Sequence, residues 1–74
     1  MTPAEETLIV HVHDAPRAVT SGTKLLTLLE EMALTGRQGL AVAVNSVVVP
    51  RAAWAVRELQ AGDRVLLIQA SQGG

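Results

Sequence analysis

Thr7-Leu8-Ile9-Val10-His11-Val12-His13 alternates strictly. Leu8, Val10 and Val12 fall to one side and Ile9, His11 and His13 to the other, the period-two pattern of a strand with one clearly buried face. His13-Asp14-Ala15-Pro16 then reads as a turn, because Asp initiates turns and Pro presets one backbone angle. A second short strand is predicted over 17–20, so the segment is a hairpin. Ser21-Gly22-Thr23 breaks it, and Thr23 is a suitable helix N-cap, its hydroxyl accepting from an orphan amide. From Lys24 onward the period changes to that of a helix. Leu25, Leu28, Leu29 and Met32 share one stripe, Leu26 lies at its edge, and Glu30 and Glu31 face water. The expected helix spans 24–34, with Gly36 as its left-handed closing residue.

Working outward, Leu40, Val42 and Val44 alternate with Ala41 and Ala43 in a third strand. Asn45-Ser46 is a tight turn, since Asn tolerates positive φ. Residues 47–49 form a fourth strand closed by Pro50, which cannot donate to a sheet ladder. A short helical turn is expected around Trp54 within 51–59, a turn at Ala61-Gly62-Asp63, and a last strand over 65–70. The order is strand, strand, helix, strand, strand, strand, with no repeat or linker. One helix across one face of a mixed five-stranded sheet satisfies the layering of a single-core α+β domain. The ubiquitin-like β-grasp has this order and sets its first strand centrally, beside the last. The expected organisation is a flexible leader over 1–6, one domain over 7–70 and a flexible tail over 71–74.

Composition narrows the function. The chain has 74 residues and no cysteine, which excludes disulfides and thiolate metal sites. Stability must come from its 49% hydrophobic content. Trp54 is the sole aromatic residue, so a base-stacking platform is excluded. A net charge of −1 without a basic cluster lacks the electrostatic footprint of a nucleic-acid binder. No apolar run approaches the roughly 18 residues of a membrane span, and the acidic N-terminus lacks a secretory layout. The expected location is cytoplasmic, without nucleic-acid or membrane partners.

The helix can cover only one sheet face, yet several strands are apolar at both parities. With Val65, Leu67 and Val48 inward, Ala41, Ala43, Val47, Val49, Leu66 and Ile68 are left on the open face. Contiguous exposed aliphatics mark interaction surfaces, so these six form the expected partner-docking patch. The chain ends in Gly73-Gly74. Glycine has no Cβ, so such a tail can enter a narrow channel and bring its backbone close to a nucleotide. A terminal carboxylate becomes reactive when AMP is transferred to it from ATP. A sulfur nucleophile then displaces AMP and leaves a thiocarboxylate, which suits a carrier that has no thiol.

Other residues carry less. His11 and His13, with Asp14 beside them, lack a third ligand at metal-site spacing. Arg51, beside Pro50, contacts a partner or caps a strand end by bonding free carbonyls, and Trp54 reads as a core or lid residue. Ser21, Ser46 and Ser71 have no base nearby, and adjacent Glu30 and Glu31 point apart, so no catalytic residue is assigned.

Four stretches resemble the ThiS family of thiamine-biosynthesis sulfur carriers. They are Lys24-Leu25-Leu26-Thr27-Leu28-Leu29 after Gly22; Ala41-Val42-Ala43-Val44-Asn45 running into Val48-Val49-Pro50-Arg51-Ala52-Ala53-Trp54; Leu59-Gln60-Ala61-Gly62-Asp63-Arg64-Val65; and Gly73-Gly74. The Val-Pro-Arg before Trp54 is the most particular of these, whereas the Gly-Asp turn and Gly-Gly tail belong to ubiquitin-like carriers generally. Ile68-Gln69-Ala70-Ser71-Gln72 lacks the proline-rich approach of molybdopterin-synthase small subunits. The resemblance implies a β-grasp co-substrate, not an enzyme, that binds no cofactor. A ThiF-like adenylyltransferase would use ATP to activate Gly74, with Gly73 threading the channel. A persulfide donor system would supply sulfur, and a ThiG-like thiazole synthase would receive it. The alternatives are a molybdopterin-type or tRNA-thiolation-type carrier, a ubiquitin-like modifier, and an interaction module without tail chemistry.

Overall fold

The computed structural model describes residues 6–36 and 38–69. Strand β1 (Thr7–Val12) and strand β2 (Ala15–Thr20) form the opening hairpin. Helix α1 (Leu25–Glu31) follows, then β3 (Leu40–Val44), β4 (Val47–Val49), a 3₁₀ turn (Arg51–Ala53) and β5 (Arg64–Gln69). The sheet order is β2-β1-β5-β3-β4, with β1 and β5 parallel and the other pairs antiparallel. The first strand thus lies beside the last, as the β-grasp order implies.

Both hairpins turn on two residues with positive φ: His13 and Asp14 at 51° and 68°, Asn45 and Ser46 at 53° and 71°. Such turns match the right-handed twist of the flanking strands. The first is tighter than the sequence suggests, so β2 starts at Ala15, opposite Val12, instead of at Arg17. Pro16 therefore lies inside a strand. It is tolerated because β2 is a sheet edge, where a missing N–H costs no ladder bond.

The helix is shorter than the predicted 24–34, and its N-cap is Lys24, with no side-chain cap bond. The Thr23 hydroxyl instead donates to the Thr20 carbonyl at 2.5 Å. The capping work passes to the 54–57 segment. Leu25 N–H donates to the Arg57 carbonyl at 2.7 Å and Leu26 N–H to the Trp54 carbonyl at 2.9 Å. At the other end the left-handed residue is Ala33 (φ 60°), not Gly36. Leu34 N–H bonds the Leu29 carbonyl and Ala33 N–H the Glu30 carbonyl, the paired bonds of a Schellman closure.

Leu25, Leu28 and Leu29 of α1 pack onto Val10, Val12, Val42, Val44 and Val65. Each such buried aliphatic is worth about 1.5–3 kcal/mol relative to exposure. Trp54 and Leu59 close the side of this core, and Trp54 Nε1–H donates to the Val49 carbonyl at 2.9 Å. That bond tethers the 3₁₀ segment to β4, so Trp54 is a core residue.

Candidate functional site

The tail residues Gly73 and Gly74, with the rest of 70–74, lie outside the described residues, as do residues 1–5 of the leader. What the structure shows is the strand that leads to the tail and the sheet face beside it. β5 pairs with β3 in the register Ala43↔Leu66 and Ala41↔Ile68, so these four share the face away from α1. Leu66 is 41% exposed and Ile68 52%.

The fourth strand has the opposite parity to that expected. Val44 pairs with Val47 and Val42 with Val49, which gives Val47 and Val49 the parity of the helix-covered face; Val49 is only 8% exposed, whereas Val47, next to the turn, is 65% exposed. Val48, paired with Ala43, is the open-face residue and is 64% exposed. The cause is the two-residue turn: it puts Val44 directly opposite Val47, and directly opposed residues point to the same face. Three consecutive valines have no alternation of their own, so the turn length was the signal that decides them. The corrected patch is Ala41, Ala43, Val48, Leu66 and Ile68. Ala43 lies between Val48 and Leu66 and is nearly covered.

At the turn end of this face His11, Asp14, Ser46, Arg64, Val65 and Leu66 line a hollow. Next to Arg64 in the chain is a carboxylate, Asp63, that the sequence shows only as part of a turn. Asp63 is 5% exposed. It accepts from Gln60 N–H at 2.8 Å and from Asn45 Nδ2 at 2.9 Å, with Arg57 Nη2 at 3.5 Å. Asn45 Oδ1 in turn accepts from Arg64 N–H at 3.0 Å. These bonds lock the β3–β4 turn to the start of β5 and so orient the whole patch. Arg51 stacks its guanidinium over the Trp54 ring at 4.6 Å and donates to the Thr35 carbonyl at 3.3 Å, in the loop between α1 and β3 and not at a strand end.

His11 stays in β1, while His13 turns out of it and accepts from Leu67 N–H through Nε2 at 3.0 Å. Among the described residues no group of three or more His, Asp or Glu side chains is placed to hold a metal ion. Nor is any described helix long and apolar enough to cross a membrane.

A mixed sheet grasping one helix, with an aliphatic open face beside a strand that runs out into a Gly-Gly sequence, defines the class: a ubiquitin-like β-grasp domain. The ThiS family model matches residues 4–74, and the chain belongs to that family. It is 40% identical over 63 residues to the sulfur carrier protein ThiS of Escherichia coli (strain K12), covering 84% of this chain and 92% of that one. The fold is also that of the thiamine biosynthesis protein ThiS from Geobacter metallireducens, with a TM-score of 0.77 at 22% identity over 90% of this chain and 100% of that chain.

Proposed function

We propose that this chain is a sulfur carrier of thiamine biosynthesis whose Gly74 carboxylate is adenylated and then converted to a thiocarboxylate. The observation that carries the reading is the family match, which runs through residues 4–74 and so includes Gly73-Gly74. The 40% identity to a protein named as a sulfur carrier supports it.

The chemistry follows from the carboxylate. Attack on the α-phosphorus of ATP forms the acyl adenylate and releases pyrophosphate. A donor persulfide attacks the acyl carbon and AMP leaves. A second donor thiol then cleaves the sulfur–sulfur bond, is itself oxidised to a disulfide, and releases the thiocarboxylate. A thiazole synthase takes that sulfur and returns the carboxylate, so the chain is a regenerated co-substrate. Ala41, Ala43, Val48, Leu66 and Ile68 dock the adenylyltransferase. That Leu66 and Ile68 lie on the last strand, the one that precedes Gly73-Gly74 in the sequence, supports this docking assignment.

Intact mass after incubation with ATP, a ThiF-like adenylyltransferase and a persulfide source tests the proposal. The expected result is an oxygen-to-sulfur shift localised to Gly74 and abolished when Gly74 is deleted. An unchanged mass with an enzyme shown to be active on another carrier would refute it and favour an interaction module.

A further inference from the structure

Strand β1 pairs with β5 only through His11↔Arg64 and Val12↔Val65. Its main chain then leaves the sheet at His13 and Asp14, both at positive φ. His13 N–H still reaches the Val65 carbonyl at 3.0 Å. The next β5 donor on that side is Leu67 N–H, and it is met at 3.0 Å by the His13 ring at Nε2. The imidazole occupies the place of the ladder acceptor that a continuing β1 would supply. On the other side β3 stays paired as far as Leu40↔Gln69.

We propose that His13 is a positioning residue for the docking face: its imidazole clasps Leu67 N–H and thereby fixes the course of β5 that sets Leu66 and Ile68 on the open face. The functional half of this statement rests on the carrier reading given above. The clasp itself does not.

The chemistry is restrictive. A backbone amide can only donate, so Nε2 must be an unprotonated acceptor and the ring proton must sit on Nδ1. This is the opposite tautomer from the one a free imidazole favours in water. Leu67 is flanked by the open-face residues Leu66 and Ile68, so a twist of β5 at this point moves both docking residues together.

Two variants separate the clasp from the turn. His13→Asn suits the left-handed conformation but is too short to reach Leu67. His13→Gln carries an amide oxygen at the distance of Nε2. NMR on the 15N-labelled chain is expected to show a coupling across the hydrogen bond between the Leu67 amide nitrogen and His13 Nε2, with the Nδ1–H tautomer. His13→Asn should speed Leu67 amide exchange at least tenfold with the melting temperature held, and His13→Gln should retain the protection. As substrates of the adenylyltransferase, His13→Asn should raise KM about threefold at constant kcat, and His13→Gln should return it to the parent value. Absence of the coupling, or unchanged Leu67 exchange in His13→Asn, would overturn the clasp. Faster exchange with unchanged KM would overturn its role in positioning. A parent chain that is not adenylated at all would refute the carrier reading instead, and the NMR result would still decide the clasp.

Discussion

Replacing Asp63 with alanine is expected to remove about 3 kcal/mol of stability. The carboxylate is almost fully buried and accepts from Gln60 N–H at 2.8 Å and Asn45 Nδ2 at 2.9 Å, with Arg57 further off at 3.5 Å. Hydrogen bonds to a charged group are worth roughly 1.5–3 kcal/mol each. Two good ones would suggest a loss of about 3–6 kcal/mol, but two of the three donors can recover water. Arg57 is about a third exposed, and Asn45 lies in an exposed turn. The arginine pair therefore adds little, as partly exposed pairs do. What is left is the main-chain bond to Gln60 and part of the Asn45 bond, near the lower end of the range. A domain of this size has a total stability of about 4–11 kcal/mol. The loss is a large share of that, and corresponds to a fall in melting temperature of roughly 12–24 °C. Urea denaturation of the parent, Asp63→Ala, Asn45→Ala and the double variant would measure it, with a coupling of about 1 kcal/mol between the two sites. A loss below about 1 kcal/mol with an unchanged m-value would refute the idea that this carboxylate holds the turn to β5.

Other perturbations check other parts of the structure. Val49→Asp should unfold the domain at ambient temperature, whereas Val48→Asp should leave its circular dichroism and melting temperature nearly unchanged; similar behaviour of the two would contradict the observed parity of β4. Ala33→Gly should raise stability by about 1 kcal/mol, read as a shift in urea midpoint, because a left-handed alanine costs roughly 1–2 kcal/mol that glycine avoids. Leu66→Asp or Ile68→Asp should weaken binding to the adenylyltransferase at least tenfold by calorimetry while leaving the fold intact, and unchanged affinity would remove the open face as the docking surface. Gly73→Val should block adenylation without moving the melting temperature, and a normal rate would count against the narrow-channel argument.

Much of this was legible in the residues. The alternation of Leu8, Val10 and Val12, the stripe of Leu25, Leu28 and Leu29 and the Asn45-Ser46 turn each state a local preference, and the structure follows all three. The shared face of Ala41, Ala43, Leu66 and Ile68 follows from period two once the inward residues are chosen. The helix ends were not legible in the same way. Thr23 and Gly36 are the better capping residues, but Lys24 and Ala33 hold those places. The 54–57 carbonyls arrive from elsewhere in the chain to satisfy the first turn, and the Schellman bonds close the last one early.

Periodicity and turn chemistry were thus sufficient, from the sequence alone, for the element order and the core face of the helix. These are properties of residues within a few positions of one another. Only the tertiary structure decided that Val48, and not Val47 or Val49, shares the sheet face of Ala43, that Asp63 is a buried junction, and that the His13 ring meets an amide 54 positions away. Each of these depends on where a second segment lies in space. A hydrogen bond or a covered side chain needs both partners, and a local pattern describes one of them.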